Sequence, residues 1–212
     1  GCSVRTEEEP EQFRIVTSFY PMYIMALNLI DGISGVQVDV MAGEQTGCLH
    51  DYQLQSRDMQ NLQKADVFVI NGAGMESFLD AVTDQLPDLP IITASQGIPL
   101  IDGEEESVQE EGETEHGHAH EHGDANPHVW VSITNAIQQV DTMSEGLAQE
   151  DPQHAAQYRE NAAVYREKLL DLRQEMHAVL DSVPDKRIIT FHEAFPYFAQ
   201  EFGLEIVKVI NR

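Results

Sequence analysis

Cysteine and positive charge are both scarce in this chain of 212 residues. Only Cys2 and Cys48 are present. A disulfide framework shows an even set at patterned spacing in a short chain, and one distant pair does not make one. Lysine and arginine number 12 against 37 aspartates and glutamates, for a formal net charge of −25. Such a surface repels phosphate backbones and anionic headgroups, so nucleic acid is excluded as a natural partner. It attracts cations, although acidity of this kind also serves solubility alone. Long apolar runs are missing too. Nothing reaches the ~18 apolar residues of a membrane-spanning helix, so membrane contact is expected only through an attached lipid.

What remains is ordinary core-forming material. The hydrophobic fraction is 42%, enough for one large domain or two small lobes. Strands are predicted at Phe13 to Ser18, Val36 to Val40, Val67 to Ile70 and Ile91 to Thr93. The third is a short continuous apolar run, as a buried parallel strand requires. Helices are predicted at Pro21 to Ile30, Gln53 to Lys64 and Met75 to Val82. This alternation argues for α/β architecture with a parallel sheet covered on both faces. From Asp102 to Asp124 the chain is acidic and nearly free of apolar residues, and reads as a disordered loop.

A long helix is predicted next, with Asp151 as N-cap and Pro152 at its first position. Ala155, Tyr158, Ala162, Tyr165, Leu169, Leu172, Met176, Val179 and Val183 recur at three- and four-residue steps, one sustained apolar stripe. At 1.5 Å per residue it runs roughly 45 Å and closes at Pro184. Arg187 to Phe191 reads as a strand, Glu193 to Phe202 as a helix and Leu204 to Ile210 as a strand. The resulting division is a tether over 1–12, a first α/β lobe over 13–150 containing the loop 102–124, a linking helix over 151–183 and part of a second lobe over 184–212.

Nine histidines are present. His154 and His177 fall on the long helix and read as ordinary helix residues. His116, His118, His120 and His122 alternate inside the acidic loop. His50, His128 and His192 each stand where a strand gives way to a loop or helix. Open α/β sheets bind ligands beyond the carboxyl ends of their strands, and converging neutral imidazoles suit a borderline-soft divalent ion such as zinc. A lone histidine at a strand end is more often a satisfied polar residue, and no local pair ties the three together. Spacing alone leaves both readings open.

The neighbouring residues carry a resemblance. His50-Asp51-Tyr52, Asn126-Pro127-His128-Val129-Trp130, His192-Glu193-Ala194-Phe195-Pro196-Tyr197-Phe198 and Ala65 to Gly72 followed by Met75-Glu76 occur in order. Together they resemble the zinc and manganese solute-binding proteins of ABC importers, from about Phe13 onward. The resemblance implies two parallel-sheet lobes joined by one long rigid helix, with the metal in the cleft between them. It implies His50, His128 and His192 as ligands, zinc rather than manganese because the third position is not a carboxylate, and an ABC permease as partner to a monomeric binder. It implies that much of the second lobe lies beyond Arg212. It also gives the His-rich loop an auxiliary metal-collecting role. Relatives commonly have proline before the first histidine; here Leu49 stands there, after Cys48, itself a small hydrophobe or a soft extra ligand. Gly1-Cys2-Ser3 before a polar tract resembles the end of a bacterial lipoprotein signal, implying lipidation at Cys2 and an extracytoplasmic or periplasmic location.

Two rival readings remain at this level. Three histidines on zinc also describe hydrolase sites, and His192-Glu193 begins like HExxH. Position 196 is proline, however, so the second histidine is absent. A surface zinc buffer or adhesin without a transporter is the other.

Overall fold

The computed structural model describes residues 12–42, 49, 52–103 and 125–210. Cys2, Cys48, His50, Asp51 and the tract His116, His118, His120 and His122 lie outside the described residues, as does most of the acidic segment.

β1 (Phe13–Thr17), β2 (Val36–Val40), β3 (Val67–Ile70) and β4 (Ile91–Thr93) form one parallel sheet in the order β2-β1-β3-β4. All four residues of β3 are buried, the continuous apolar run its position demands. From β1 the chain steps outward to β2, then crosses to β3 and β4 on the other side. The strand order therefore reverses between β1 and β3. Their carboxyl ends form a topological switch point, the place where such sheets hold ligands.

Four helices flank this sheet: α1 (Tyr20–Leu29), α2 (Ser56–Leu62), α3 (Leu79–Gln85) and α4 (Ile133–Glu150). α4 buries Ala136, Val140, Met143 and Leu147, a stripe at helical spacing. Ser132 caps it, its hydroxyl accepting from the Asn135 N–H at 3.2 Å. A Cβ at Gly146 would lie 2.7 Å from Ile92, so glycine lets α4 approach β4 closely.

α3 begins later than its apolar pattern predicts. The segment after β3 turns sharply instead, with Gly72, Ala73 and Gly74 all at positive φ. A Cβ at Gly72 would meet Thr93 Cγ2 at 2.5 Å. The turn exists because Glu76 reaches inward. Its Oε1 accepts from the Ser18 hydroxyl at 2.8 Å and the Asn71 N–H at 2.7 Å, and its Oε2 from the Gly72 N–H at 2.9 Å. Burial pushes the Glu76 carboxyl above the usual carboxylate range, and these donors offset part of that shift. Ser18 follows β1 and Asn71 follows β3, so this buried group ties the two ends of the switch point together.

The long helix is α5 (Ala155–Leu180), of 26 residues and about 39 Å. It starts and ends three residues inside the predicted limits. Asp151 does not cap it; its carboxylate instead takes the Tyr158 hydroxyl at 2.6 Å and the His154 ring at 2.7 Å, while Pro152–His154 make a 3-10 turn. Nor is the predicted stripe buried throughout. Tyr158 and Ala162 are buried, whereas Leu172, Val179 and Val183 are exposed. The first sheet and its helices cover only the amino-terminal part of α5.

β5 (Arg187–Phe191) and β6 (Glu205–Ile210) form a second parallel pair, connected through α6 (Pro196–Phe202). Ile189 and Phe191 are 58% and 59% exposed, so one face of this pair is bare. Gly203, left-handed at φ 63, ends α6.

One carboxylate fastens this unit to the rest. Glu201 on α6 accepts from the Ile133 N–H at 2.6 Å, the Thr134 N–H at 3.0 Å and hydroxyl at 2.6 Å, and Arg173 Nε at 3.0 Å. A negative charge at the amino end of α4 is also favoured by the helix dipole. Burial alone would raise the carboxyl's pKa; the Thr134 and Arg173 bonds outweigh it and hold it below its usual value of 4.5. A depressed folded pKa contributes stability above the unfolded value, lost as pH falls through the folded one. Glu201→Gln is therefore expected to cost about 2 kcal/mol at pH 7 and to flatten the acid limb of the stability curve. Denaturant unfolding between pH 7 and pH 3 checks this. Parallel pH profiles for variant and parent would contradict it.

Candidate metal centre

The segment Asn126-Pro127-His128 sits at the switch point because Asn71 holds it there. Asn71, fully buried, donates from Nδ2 to the Pro127 carbonyl at 2.9 Å and accepts at Oδ1 from Gln139 on α4 at 2.9 Å. His128 follows and is 2% exposed. Its ring Nδ1 lies 2.9 Å from Asn126 Oδ1. Trp130 stands beside it with ring centres 5.4 Å apart, and Phe19 packs edge-on against Trp130 at 5.0 Å. A buried imidazole backed by aromatics is a rigid donor.

His192 arrives from the second sheet. It directly follows β5, and its N–H donates to the Ile210 carbonyl at 3.3 Å. Its φ is 66°, a left-handed conformation unfavourable for a side chain of this size. Strain of this kind concentrates at functional sites. Unlike His128, it is exposed.

The two rings meet. His128 Nε2 and His192 Nε2 are 3.2 Å apart, with the ring planes at 86°. Two nitrogens each bonded at 2.0–2.1 Å to one tetrahedral ion stand about 3.3 Å apart. The spacing therefore suits a shared tetrahedral metal. No third His, Cys, Asp or Glu joins them in a metal-binding group among the described residues. His50 lies outside those residues. Its described neighbours on either side, Leu49 and Tyr52, are respectively within and packed against the main core. Tyr52 donates its hydroxyl to Asp58 at 2.8 Å, and burial together with that carboxylate pushes the phenol up to about 12. The Tyr52 hydroxyl is thus committed to Asp58.

The helical histidines take no part. His154 bonds Asp151, and His177 packs on Phe202 and faces Asp181 at 3.1 Å. Asn126, Asn71 and Glu76 stand within the quoted motifs, yet sequence reasoning assigned them no role. The available signal was a polar side chain inside an otherwise buried segment.

Known proteins resemble this chain in sequence and fold. A family model described as ZnuA, zinc-uptake complex component A periplasmic, matches residues 15–212. The zinc-binding lipoprotein AdcA of Streptococcus pneumoniae is 31% identical over 211 residues, covering 99% of this chain and 41% of that protein. The high-affinity zinc uptake system protein ZnuA of Bacillus subtilis is 30% identical, covering 96% and 62%. Among solved structures, the Zn(II)-bound ZnuA-like domain of Streptococcus pneumoniae AdcA superposes with a TM-score of 0.78 at 27% identity, over 94% of this chain and 67% of that one. The chain spans about two-fifths to three-fifths of the curated relatives it matches. On the match that runs from residue 15 to the end, the chain belongs to the family of periplasmic zinc-uptake component A, the solute-binding proteins of zinc uptake.

Proposed function

We propose that this chain captures zinc outside the cytoplasm and passes it to an ABC-type permease. The observation that carries the reading is the 3.2 Å approach of His128 Nε2, from the segment before α4, and His192 Nε2, from the end of β5. The zinc-bound AdcA domain of similar fold supports the choice of ion, as does a donor set of imidazoles rather than carboxylates. His50 is the third ligand, contributed by the loop after β2, and one coordination position remains for water or another group. The unit is read as a monomer binding one ion. His192 is exposed and gives zinc a way in; His128, buried, supplies the fixed end of the site.

Catalysis is not part of this reading. α6 begins at Pro196, where HExxH would need its second histidine. Among the described residues no helix is long and apolar enough to cross a membrane. Cys2 is the proposed site of lipid attachment, a reading supported by the description of the pneumococcal relative as a lipoprotein.

Zinc titration of metal-free protein, with a competing chelator, tests the proposal: one tight equivalent per chain is expected. Failure to bind, or preference for manganese over zinc, would contradict it. His116, His118, His120 and His122 are proposed as a weak collecting tract. Deletion of 104–123 is accordingly expected to remove weak extra equivalents and leave the tight one. Loss of the tight equivalent would make the tract a primary source of ligands.

A further inference from the structure

Beside the paired histidines stands Asn126, which is 5% exposed. Its backbone N–H donates to the Ile101 carbonyl at 2.8 Å, and its carbonyl accepts the Tyr197 hydroxyl at 2.7 Å. Its side-chain Nδ2 donates to the Glu193 carbonyl at 2.8 Å. Its Oδ1 accepts the His128 backbone N–H at 3.0 Å and lies 2.9 Å from His128 Nδ1.

These contacts leave no choice of amide orientation. A carbonyl only accepts, so the NH₂ must face Glu193. The His128 N–H only donates, so Oδ1 must face His128. An amide oxygen cannot donate, and the proton between it and the ring therefore sits on Nδ1. Neutral His128 then carries its lone pair on Nε2, the atom 3.2 Å from His192 Nε2. The same amide grips the residue after His192 through its carbonyl. One side chain thus selects the tautomer of one imidazole and fixes the loop that presents the other.

We propose that Asn126 is a positioning residue for the metal site, coupling His128, before α4, to His192, after β5. The proposal rests on the reading of His128 and His192 as ligands. It also accounts for the residue type. Aspartate keeps the acceptor for Nδ1–H but sets oxygen against the Glu193 carbonyl. Leucine fills the space and supplies neither bond.

Zinc affinity and the His128 tautomer, read from ring ¹⁵N shifts of the metal-free chain, test it in Asn126→Ala and Asn126→Asp, with His128→Ala as control. Asn126→Ala is expected to bind one zinc about 10–100-fold more weakly and to populate both His128 tautomers. Asn126→Asp is expected to keep the parental tautomer yet still lose affinity, because only the Glu193 bond is broken. Should Asn126→Ala be poorly folded, the aspartate variant carries the test through that same separation. Parental affinity in both variants, or a parental tautomer in Asn126→Ala, overturns the proposal. A fall in melting temperature without a fall in affinity also overturns it, since that marks a merely structural role. If His128→Ala also binds zinc at parental strength, the site reading itself is at fault, an outcome distinct from failure of the Asn126 variants alone.

Discussion

Replacing His128 or His192 is expected to weaken zinc binding well beyond about 100-fold, the upper end of what loss of an outer-shell partner costs. On the proposed site each substitution removes one of three imidazole donors, and the two that remain hold the ion far less tightly. The two variants differ in what else they disturb. His128 is buried, so His128→Ala also leaves a cavity beside Trp130 and lowers the melting temperature of the metal-free chain. His192 is exposed and strained at φ 66°. Glycine accepts that conformation without penalty, so His192→Gly should lose the zinc while keeping metal-free stability within about 1 kcal/mol of the parent. Competition titration and thermal melts, run side by side, separate binding from folding. Tight zinc binding retained in His192→Gly would remove it from the site.

Zinc itself should stabilise the fold strongly, and acid should abolish the gain. Ligand at a thousandfold excess over its Kd adds about 4 kcal/mol to a folded state that alone binds it. In a chain of this length that is a rise of roughly 8–16 °C in melting temperature. Imidazole binds metal only when neutral, so below the ordinary histidine range near pH 6.5 each ligand must first shed a proton. Two such ligands cost about 100-fold in affinity per pH unit, and a third steepens the slope. The zinc-induced shift should therefore be large at pH 7.5 and almost gone at pH 5. An equal shift at both would point to carboxylate ligands instead.

Much of this architecture was legible because strand signals here are strong and local. Val67 to Ile70 is apolar throughout because it lies in the middle of the sheet, and Val36, Val38 and Val40 alternate because β2 is an edge. The helices were read less well, each for a physical reason. Met75 to Val82 has a helical pattern, but Glu76 is drawn inward by three donors and the backbone turns before α3 can begin. The stripe along α5 is real in sequence yet only partly buried, since Leu172 and Val179 stay 45% and 65% exposed. Of the site, His128 and His192 were picked out by motif, and the structure brings them together. The roles of Asn126 and Glu201 depend on contacts across 67 and 68 positions of the chain, which no local pattern encodes.

On this reading one zinc ion joins the segment before α4 to the end of β5 through imidazole nitrogens. Zinc K-edge absorption on the loaded chain, paired with a crystal structure of the same sample, tests it most directly. The account predicts a single ion at 2.0–2.1 Å from His128 Nε2 and His192 Nε2, with His50 as a third nitrogen donor. Zinc bound through sulfur or carboxylate oxygen alone, away from these two rings, would contradict it.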